Sequence, residues 1–339
     1  MNVDDVPVDA GKLYRMLYAS IQTQLLATSI RLGVFDYLDE PASAGELAGR
    51  IDSDPDNTAL FLNGLVACDL LEKKDGRFTN TPMARTFLVK GVPTYLGESF
   101  LMQSGMREMM LADLYTLVKE GADPKFLKKH KDSEEKWGRF ARSMANHARA
   151  GIAQEMSRVV ARLPEFPSFG KMLDLGCGPG IFGIVMVGRH PTMKGVLFDR
   201  KPSTDIAREF IAEYDLQDRM EVLPGDYNCD SIGEGYDFIW ASSTLNFAQP
   251  DLKPVMTKIY DALNPVCVFI NLSEGLTHES TQPKFYVLCT MGWSMHNRPL
   301  TAFDQGVIAD AMIDAGFRSV RSRTLATGWG PMDMDIARK

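Results

Sequence analysis

Residues 172–183 read MLDLGCGPGIFG, in which four glycines separate a short apolar run from an apolar segment of helical character. A short apolar run bounded by glycines is typical of a buried strand in a parallel sheet. Glycine adopts backbone conformations that other residues avoid, and it lets a ligand approach the main chain closely. The stretch therefore predicts a strand, a ligand-binding turn and a helix in direct succession.

The same alternation continues downstream of this turn. Four more short apolar runs follow, separated by segments of helical periodicity, and they read KGVLFD, RMEVL, YDFIWAS and VCVFINL. This alternation predicts an α/β fold, in which helices cover both faces of a mostly parallel sheet. Two further runs, FRSVRSRTL and MDMDIAR, flank a Gly-Trp-Gly sequence and predict an antiparallel hairpin at the sheet edge.

Upstream of about residue 165 the periodicity is helical instead. Three helical segments precede two short extended runs around Asp75-Gly76, which is a hairpin signal. Three helices and a hairpin are typical of a winged-helix domain. The segment in the place of a recognition helix, NTALFLNGLVACDLL, contains no Lys or Arg, so burial against a second subunit is favoured over DNA binding.

A helical connector links the two halves. Its last part, SEEKWGRFARSMANHARAGIAQEMSRVVARL, predicts a helix that ends at Leu163, before Pro164. We therefore divide the chain into a winged-helix-like domain over residues 1–105, a helical connector over residues 106–165 and a ligand-binding domain over residues 166–339.

Composition argues against several classes of protein. With 45% hydrophobic and 24% charged residues, the 339-residue chain is typical of a globular protein. It has no apolar run long enough for a membrane span, and its acidic N-terminus is unlike a signal peptide, so we expect a cytoplasmic location. The five cysteines lack metal-ligand spacing, so we expect free thiols and no metal site. A net charge of −7 without a basic stripe counts against nucleic acid as a partner.

Two ligand templates compete for the glycine-rich turn. Gly178, Gly180 and Gly183 satisfy the G-x-G-x-x-G pattern of dinucleotide-binding proteins, but in that template the first glycine follows the strand almost at once. The register Gly176, Gly178 and Gly180 does follow the strand directly, and Asp174 precedes it. An acid at this position opposes a diphosphate and suits a cofactor with a cationic centre.

The turn DLGCGPG resembles motif I of the class I S-adenosylmethionine-dependent methyltransferases. The resemblance implies that S-adenosylmethionine is the cofactor and that its site contains Asp174, Gly176, Gly178, Asp199, Asp226, Tyr227 and Ser242. Asp199 ends the second strand, where an acid accepts hydrogen bonds from both ribose hydroxyls. Asp226 follows the third strand, where the family binds the adenine amino group, and Tyr227 is a candidate for a ring contact.

The resemblance extends over almost the whole chain, to the small-molecule O-methyltransferases of plant phenolic, acetylserotonin and bacterial polyketide metabolism. Six segments occur in the family's order: LGVFDYL, DGRFTNTP, FARSMANH, LGCGPG, GDYN and DAGF. This resemblance implies a Rossmann-like catalytic domain with a seven-stranded, mostly parallel sheet, preceded by a mainly helical, winged-helix-like dimerisation domain. It also implies a homodimer whose N-terminal halves help to close the partner's substrate pocket, with the connector and its Met144 contributing to the pocket wall.

The chain departs from the family where the catalytic base is expected. After the fourth strand the family usually reads Leu-His-Asp-Trp, and the His removes the proton from the acceptor hydroxyl. The matching residues here are 245–248, so Asn246 replaces the His, and an amide is no base near neutral pH. The family's Pro-Gly-Gly before the fifth strand is also changed, to Asn-Pro-Val at residues 264–266.

Several explanations of this replacement stay open. The acceptor is already ionised, as an acidic phenol or thiol is, or it is an enolate-like carbon or an amine with a free lone pair. Alternatively another residue is the base, for which Glu274, His147 and His296 are candidates; His296 is also a candidate for the substrate pocket. Asn246 itself either orients the acceptor oxygen by a hydrogen bond or caps the following helical region.

The sequence thus predicts an S-adenosylmethionine-dependent methyltransferase, of class EC 2.1.1, that acts on a small aromatic or apolar acceptor by in-line transfer. O-methylation is favoured, and C-, S- and N-methylation stay open. Two other interpretations remain. One is a non-catalytic, cofactor-binding regulatory or interaction protein, suggested by the missing His. The other is a nicotinamide-dependent reductase, which rests only on the shifted glycine pattern.

Overall fold

The computed structural model of the chain describes residues 8–126, 134–248, 251–296 and 302–339. The chain divides into two compact units, Met1–Met106 and Arg107–Lys339. This division lies next to the predicted boundary at residue 105, whereas the predicted boundary at residue 165 falls inside the second unit. None of the helices among the described residues combines the length and the apolar character that spanning a bilayer requires.

The described part of the first unit combines helices with a small antiparallel sheet. The helices are α1 (Gly11–Leu32), α2 (Ala44–Ile51), α3 (Pro55–Ala67), α4 (Pro82–Phe87) and the start of α5 (Gly97–Met110). The strands pair in the order β1-β3-β2 and are β1 (Ala42–Ser43), β2 (Leu71–Lys74) and β3 (Arg77–Asn80). Asp75 and Gly76 form the turn between β2 and β3 with φ of 50° and 76°, which confirms the predicted hairpin.

Helix α3 shows why a segment in the place of a recognition helix lacks basic residues. Its Leu62 and Leu65 are fully buried, in a core that also contains Phe35 and Phe78. The apolar composition of α3 therefore serves the core of its own unit. Leu60, on the same helix, is 70% exposed.

The described part of the second unit contains a seven-stranded sheet in the order β6-β5-β4-β7-β8-β10-β9. The strands are β4 (Lys171–Leu175), β5 (Lys194–Asp199), β6 (Met220–Pro224), β7 (Tyr236–Ser242), β8 (Leu263–Ser273), β9 (Ser319–Thr327) and β10 (Gly330–Arg338). The first five of these are parallel, and β10 pairs antiparallel with both β8 and β9. The predicted α/β sheet and its terminal hairpin are confirmed.

Helices flank this sheet, and apolar side chains are buried on both of its faces. The helices are α6 (Leu114–Glu120), α7 (Glu134–His147), α8 (Ala153–Val160), α9 (Ile181–Arg189), α10 (Lys201–Glu213), α11 (Leu252–Ala262), α12 (Lys284–Met295) and α13 (Val307–Asp314). Successive strand residues belong to different apolar clusters, as Phe238 and Ile239 of β7 do. This period of two places one core on each face of the sheet.

The connector differs from its prediction as one continuous helix that ends at Leu163. A single π-helical turn, Ala148–Ile152, separates α7 from α8, and α8 ends at Val160. Gly151 in this turn has φ of 126°, which lies outside the helical range and which glycine adopts most readily. Gly151 thus interrupts the regular helix between α7 and α8.

An irregular stretch near the start of β8 carries backbone strain. The register between β7 and β8 shifts, so that Tyr236 pairs with Leu263 but Phe238 pairs with Val268. Val266 lies in the inserted stretch with φ of 65° and is 71% exposed. A β-branched residue is unfavourable in this conformation, and little burial compensates for it. This stretch thus keeps a left-handed conformation at a position where the resemblance implies glycine.

We expect Val266→Gly to stabilise the protein. Left-handed backbone costs a residue with a Cβ about 1–2 kcal/mol, so after the larger chain entropy of glycine a net gain of about 1 kcal/mol remains. Chemical denaturation measures the free energy of unfolding. Val118→Gly is the matched control, because Val118 is 65% exposed inside α6, where glycine is unfavourable. A decrease in stability for both variants contradicts the assigned strain.

Candidate cofactor and acceptor site

The carboxyl ends of strands β4 to β8 carry most of the predicted site residues. Because these strands are parallel, their carboxyl ends lie at one edge of the sheet, where open α/β folds bind ligands. The predicted residues at or just after those ends are Asp174, Gly176, Gly178, Asp199, Asp226, Tyr227, Ser242, Asn246 and Glu274. The topology therefore brings these predictions to the same edge.

The glycines of the turn after β4 differ in what surrounds them. Gly176, Gly178 and Gly180 all have positive φ, of 66°, 53° and 79°. A Cβ atom at Gly176 would clash with the side chain of Thr244, and one at Gly180 with that of Leu197. At Gly178 a Cβ atom would meet no heavy atom within 4 Å. Internal packing thus requires glycine at 176 and 180, whereas Gly178 faces open space in which a ligand can reach the backbone.

Asp174 is directed into the protein. Its carboxyl group is buried, and its Oδ2 accepts a hydrogen bond of 2.9 Å from the backbone N–H of Gly183, in the first turn of α9. Burial raises the pKa of Asp174 to about 7. Its contact therefore fixes the turn against the start of α9.

Asp199 connects the end of β5 to the open glycine of the turn. Its Oδ2 accepts a hydrogen bond of 2.8 Å from Gly178 N–H, and its Oδ1 accepts one of 2.6 Å from Arg200 N–H. The side chain is half-buried, and burial raises its pKa against the opposite effect of these two hydrogen bonds. Each carboxylate oxygen has two lone pairs, so Asp199 retains acceptor capacity for a ligand.

Asp226 and Tyr227 follow β6 and have different surroundings. Asp226 Oδ1 accepts hydrogen bonds of 3.0 Å from the backbone and side-chain nitrogens of Asn228, and its Oδ2 lies 3.3 Å from Arg200 Nη2. Tyr227 is buried, its hydroxyl donates a hydrogen bond of 2.5 Å to the Thr244 carbonyl oxygen, and burial raises its pKa to about 12. The Tyr227 hydroxyl therefore joins the loops after β6 and β7.

A serine that the sequence analysis missed joins the ends of β7 and β8. Ser243 has φ of 45°, its N–H donates to the Leu272 carbonyl oxygen at 2.8 Å, and its hydroxyl donates to Glu274 Oε2 at 3.1 Å. Glu274 is half-buried, and burial raises the pKa of its carboxyl group while the Ser243 hydroxyl opposes that rise. The predicted Ser242 is half-buried beside this pair. A positive φ at serine leaves no pattern in the sequence, so only proximity to Ser242 could have drawn attention to Ser243.

Asn246 lies in a 3₁₀ turn, Leu245–Phe247, directly after this pair. In the amide orientation that satisfies its surroundings, its side-chain nitrogen donates to the carbonyl oxygens of Ser243 at 3.2 Å and Thr244 at 3.3 Å. The amide therefore bonds within the loop after β7, and it stabilises the positive φ conformation of Ser243.

The two candidate histidines lie in packed surroundings. His147 is buried on α7 and makes an edge contact with Trp329 at 5.4 Å between ring centroids, and desolvation lowers its pKa to about 4. His296 is buried at the end of α12, where its Nε2 lies 2.8 Å from the Met110 carbonyl oxygen and its ring stacks on Phe126. Met144, the predicted pocket residue, is half-buried on α7.

The groups able to hold a cofactor form a consistent set. Gly178 offers open space at the backbone, and Asp199 and Asp226 present carboxylates at the next two strand ends. Acceptors in this arrangement suit a ligand that carries hydroxyl and amino donors and a positive charge, as S-adenosylmethionine does. No group of three His, Cys, Asp or Glu side chains among the described residues has the geometry to hold a metal ion.

Comparison with known proteins identifies the family of the chain. The family model described as "O-methyltransferase dimerisation domain" matches residues 14–90, and that described as "O-methyltransferase domain" matches residues 106–291. The N,N-dimethyltransferase OxyT of Streptomyces rimosus is 27% identical over 75% of each chain. The acetylserotonin O-methyltransferase of Bos taurus is also 27% identical, over 97% of this chain and 99% of its own.

A solved structure supports the fold over the full length. Human N-acetylserotonin methyltransferase in complex with S-adenosylmethionine matches with a TM-score of 0.77 and 19% identity, and the match covers 99% of each chain. The predicted fold class, a helical dimerisation domain before a Rossmann-like domain, is confirmed. The two family models confirm the predicted resemblance.

Removing the charge of Asp199 tests the cofactor site. We expect Asp199→Asn to weaken the binding of S-adenosylhomocysteine at least tenfold, because hydrogen bonds to a charged group contribute about 1.5–3 kcal/mol. Titration calorimetry on the full chain measures the affinity. Asp205→Asn is the matched control, since Asp205 is a surface acid on α10 that pairs with Lys201 and Arg208. Equal affinities for the two variants would place the cofactor elsewhere.

Alanine substitutions at Gly176 and Gly178 distinguish a glycine required by internal packing from one that leaves space for a ligand. We expect Gly178→Ala to weaken S-adenosylhomocysteine binding and to lower the melting temperature only by the backbone cost of alanine at positive φ, because its Cβ projects into open space. Gly176→Ala should lower the melting temperature far more, because its Cβ clashes with Thr244. Thermal unfolding and calorimetry measure both effects. The reverse order of stability would contradict the conformation assigned to the turn.

Proposed function

The chain belongs to the O-methyltransferase family and is therefore an S-adenosylmethionine-dependent methyltransferase of small molecules, and we propose that it O-methylates an aromatic or apolar acceptor with Glu274 as the proton-accepting group. The observation that carries this proposal is the contact between Ser243 and Glu274, at 3.1 Å, where the ends of β7 and β8 meet. This hydrogen bond fixes the carboxylate of Glu274 next to the loop in which Asn246 replaces the expected His.

The proposed cofactor contacts follow from the strand ends. S-adenosylmethionine supplies an electrophilic methyl carbon when bound. Asp199 has the acceptor capacity for the ribose hydroxyls, and Asp226 has it for the adenine amino group. The residues around the open face of Gly178, with Ser242 at the end of β7, complete the proposed site.

Glu274 suits the task of a base better than the other candidates. A base of raised pKa is closer to the pH at which an enzyme works and so transfers protons more effectively. Burial raises the pKa of Glu274, and the Ser243 hydroxyl holds one of its oxygens in place. Carboxyl groups whose pKa is shifted by burial are common at functional sites.

The remaining candidates have surroundings that oppose proton transfer. An amide such as Asn246 has no basic nitrogen, and its N–H groups already bond to two backbone carbonyls. His147 has its pKa lowered to about 4, so its imidazole is neutral near pH 7 and too weak a base for an ordinary phenol. His296 uses Nε2 in its contact with Met110.

Alignment is the other part of the proposed mechanism. Methyl transfer is an in-line displacement, and holding the reactants at near-attack distance can lower such a barrier by roughly 7–11 kcal/mol. We propose that residues 106–165 contribute to the acceptor pocket through Met144. An amine is the second candidate acceptor. Asn246 favours it, because a neutral amine offers a lone pair without prior loss of a proton.

The proposed assembly is a homodimer formed through the first unit. Helix α1 presents apolar side chains at helical spacing, and Leu13, Met16, Leu17 and Ile21 are 51–69% exposed. Such a row is unfavourable in water and suits burial against a second copy. The dimerisation-domain match over residues 14–90 includes most of this row. The cytoplasmic location stays a prediction.

The pH dependence of Glu274→Gln tests the proposed base. We expect wild-type methyl transfer to weakly acidic phenols to fall as the pH drops through the raised pKa of Glu274. Glu274→Gln should reduce that rate by about 10²–10⁴-fold, and far less for acceptors that are already ionised. Transfer of labelled methyl groups to phenols of graded acidity, with thiols and amines alongside, measures both. Ser243→Ala should move the acid limb to higher pH, because the hydroxyl lowers the pKa of Glu274.

His147→Gln is the matched control and should keep the wild-type pH profile. If Glu274→Gln also keeps that profile on protonated acceptors, Glu274 is not the base. If S-adenosylhomocysteine binds but no acceptor in the panel is methylated, the non-catalytic interpretation replaces the proposal.

A further inference from the structure

A cavity of about 220 Å³ lies at the same sheet edge as Glu274, beyond the reaction site described above. Its walls come from the loop after β8, from the segment before α13 and from the terminal hairpin, and they include Gly275, Thr277, Gln305, Thr324, Pro331 and Asp333. Asp333 pairs with Ser273 across the β8–β10 ladder, which places the cavity beside the carboxyl end of β8. Gly275 is the residue after Glu274, so the cavity begins one residue from the proposed base.

One charged side chain, Asp333, lies in the wall of this cavity, and it is only 8% exposed. Its Oδ1 accepts hydrogen bonds of 2.7 Å from the Thr324 hydroxyl and 2.8 Å from Gln305 Nε2. The Gln305 amide also donates to the Thr324 hydroxyl at 3.1 Å. These two donors therefore converge on one oxygen of the carboxylate.

The other oxygen of Asp333 is directed toward Gly275. A Cβ atom at Gly275 would lie 2.5 Å from Asp333 Oδ2 and 3.1 Å from Gln305 Cα. Glycine at 275 thus leaves free the space in front of Oδ2. In the described residues, neither a hydrogen bond to this oxygen nor an ion pair of Asp333 with Lys, Arg or His is present.

A buried carboxylate without a cation is energetically unfavourable. Burying an ionised group is unfavourable unless hydrogen bonds and an opposite charge compensate for it. Asp335, two residues along β10 on the same face, is also buried and adds a second acidic group. A ligand that carries a positive charge and donates hydrogen bonds would compensate for these buried acids.

We propose that this cavity binds the protonated amine of a small molecule, with Asp333 as the counter-ion. The cavity has the volume of about seven water molecules, so it has room for a single ring or a short chain that carries an ammonium group. Two sources supply such a group: an amine-bearing acceptor, which rests on the proposed function, or a separate amine. The charged contact is the same for both.

Benzylamine and benzyl alcohol are suitable probes, because they share size and shape and differ in charge near neutral pH. We expect titration calorimetry on the full chain, loaded with S-adenosylhomocysteine, to show saturable binding of benzylamine at least tenfold tighter than that of benzyl alcohol. Asp333→Asn should remove this preference. Asp335→Asn should retain it, because Asp335 does not line the cavity. Equal binding of both probes by the wild type, or an unchanged preference in Asp333→Asn, overturns the proposal.

Two further measurements keep the test decisive. Thr277→Val removes a hydroxyl from the cavity wall but no charge, so it should keep the preference; if Asp333→Asn does not fold, loss of the preference in Thr277→Val overturns the proposal. Glu274→Gln should bind benzylamine like the wild type, which separates this site from the proposed base. Competition between benzylamine and an acceptor, seen as a raised KM, assigns the amine to the acceptor; binding without competition assigns it to a separate molecule.

Discussion

The hydrogen bond from Gly178 N–H to the Asp199 carboxylate is the constraint on which the rest of the site depends. It joins the turn after β4 to the end of β5 at 2.8 Å, and the turn reaches it only because three of its residues adopt positive φ. Asp174 fixes the other end of the turn to α9. One carboxylate therefore anchors each side of the turn, and the open face of Gly178 is held toward solvent without support from a side chain of its own.

Similar contacts join the loop after β7 to the loops after β4, β6 and β8. The Thr244 side chain fills the space that a Cβ at Gly176 would need, and the Thr244 carbonyl accepts the hydroxyl of Tyr227. The adjacent Ser243 holds Glu274, and Asn246 bonds to the carbonyls of both Ser243 and Thr244. The loop after β7 is thus held by the loops on either side. In this setting the exchange of His for Asn does more than remove a base, because the amide stabilises a loop conformation that aims a serine at a carboxylate.

The periodicity of apolar residues and the positions of turn-forming residues predicted most of the fold. The alternation of strands and helices, the Asp75-Gly76 turn and the terminal hairpin depend on local sequence, and each is present. The acids at strand ends could be placed because the carboxyl ends of parallel strands share an edge. Contacts between residues that are distant in the sequence could not be predicted. The positive φ of Ser243 and the burial of Tyr227 depend on tertiary packing, which no window of neighbouring residues encodes. The burial of Asp333 in a cavity wall could not be predicted for the same reason, because the residues around it, Gln305 and Gly275, are distant from it in the sequence.

The acidic side chains along this edge of the sheet affect which charged molecules can bind there. Across the sheet, Asp226 after β6, Asp199 at the end of β5 and Glu274 after β8 lie at successive places along this edge, and Asp333 is on β10, the next strand after β8. Among the described residues, Arg200 pairs with Asp226, and the Arg200 side chain is 61% exposed. Carboxylates in such a row attract a sulfonium cofactor and repel acceptors that carry phosphate or carboxylate groups. On the proposed cofactor assignment, this row would favour the sulfonium donor over its neutral product, because methyl transfer removes the positive charge from the sulfur. The same acidic side chains would then assist both the loading of the donor and the release of the product.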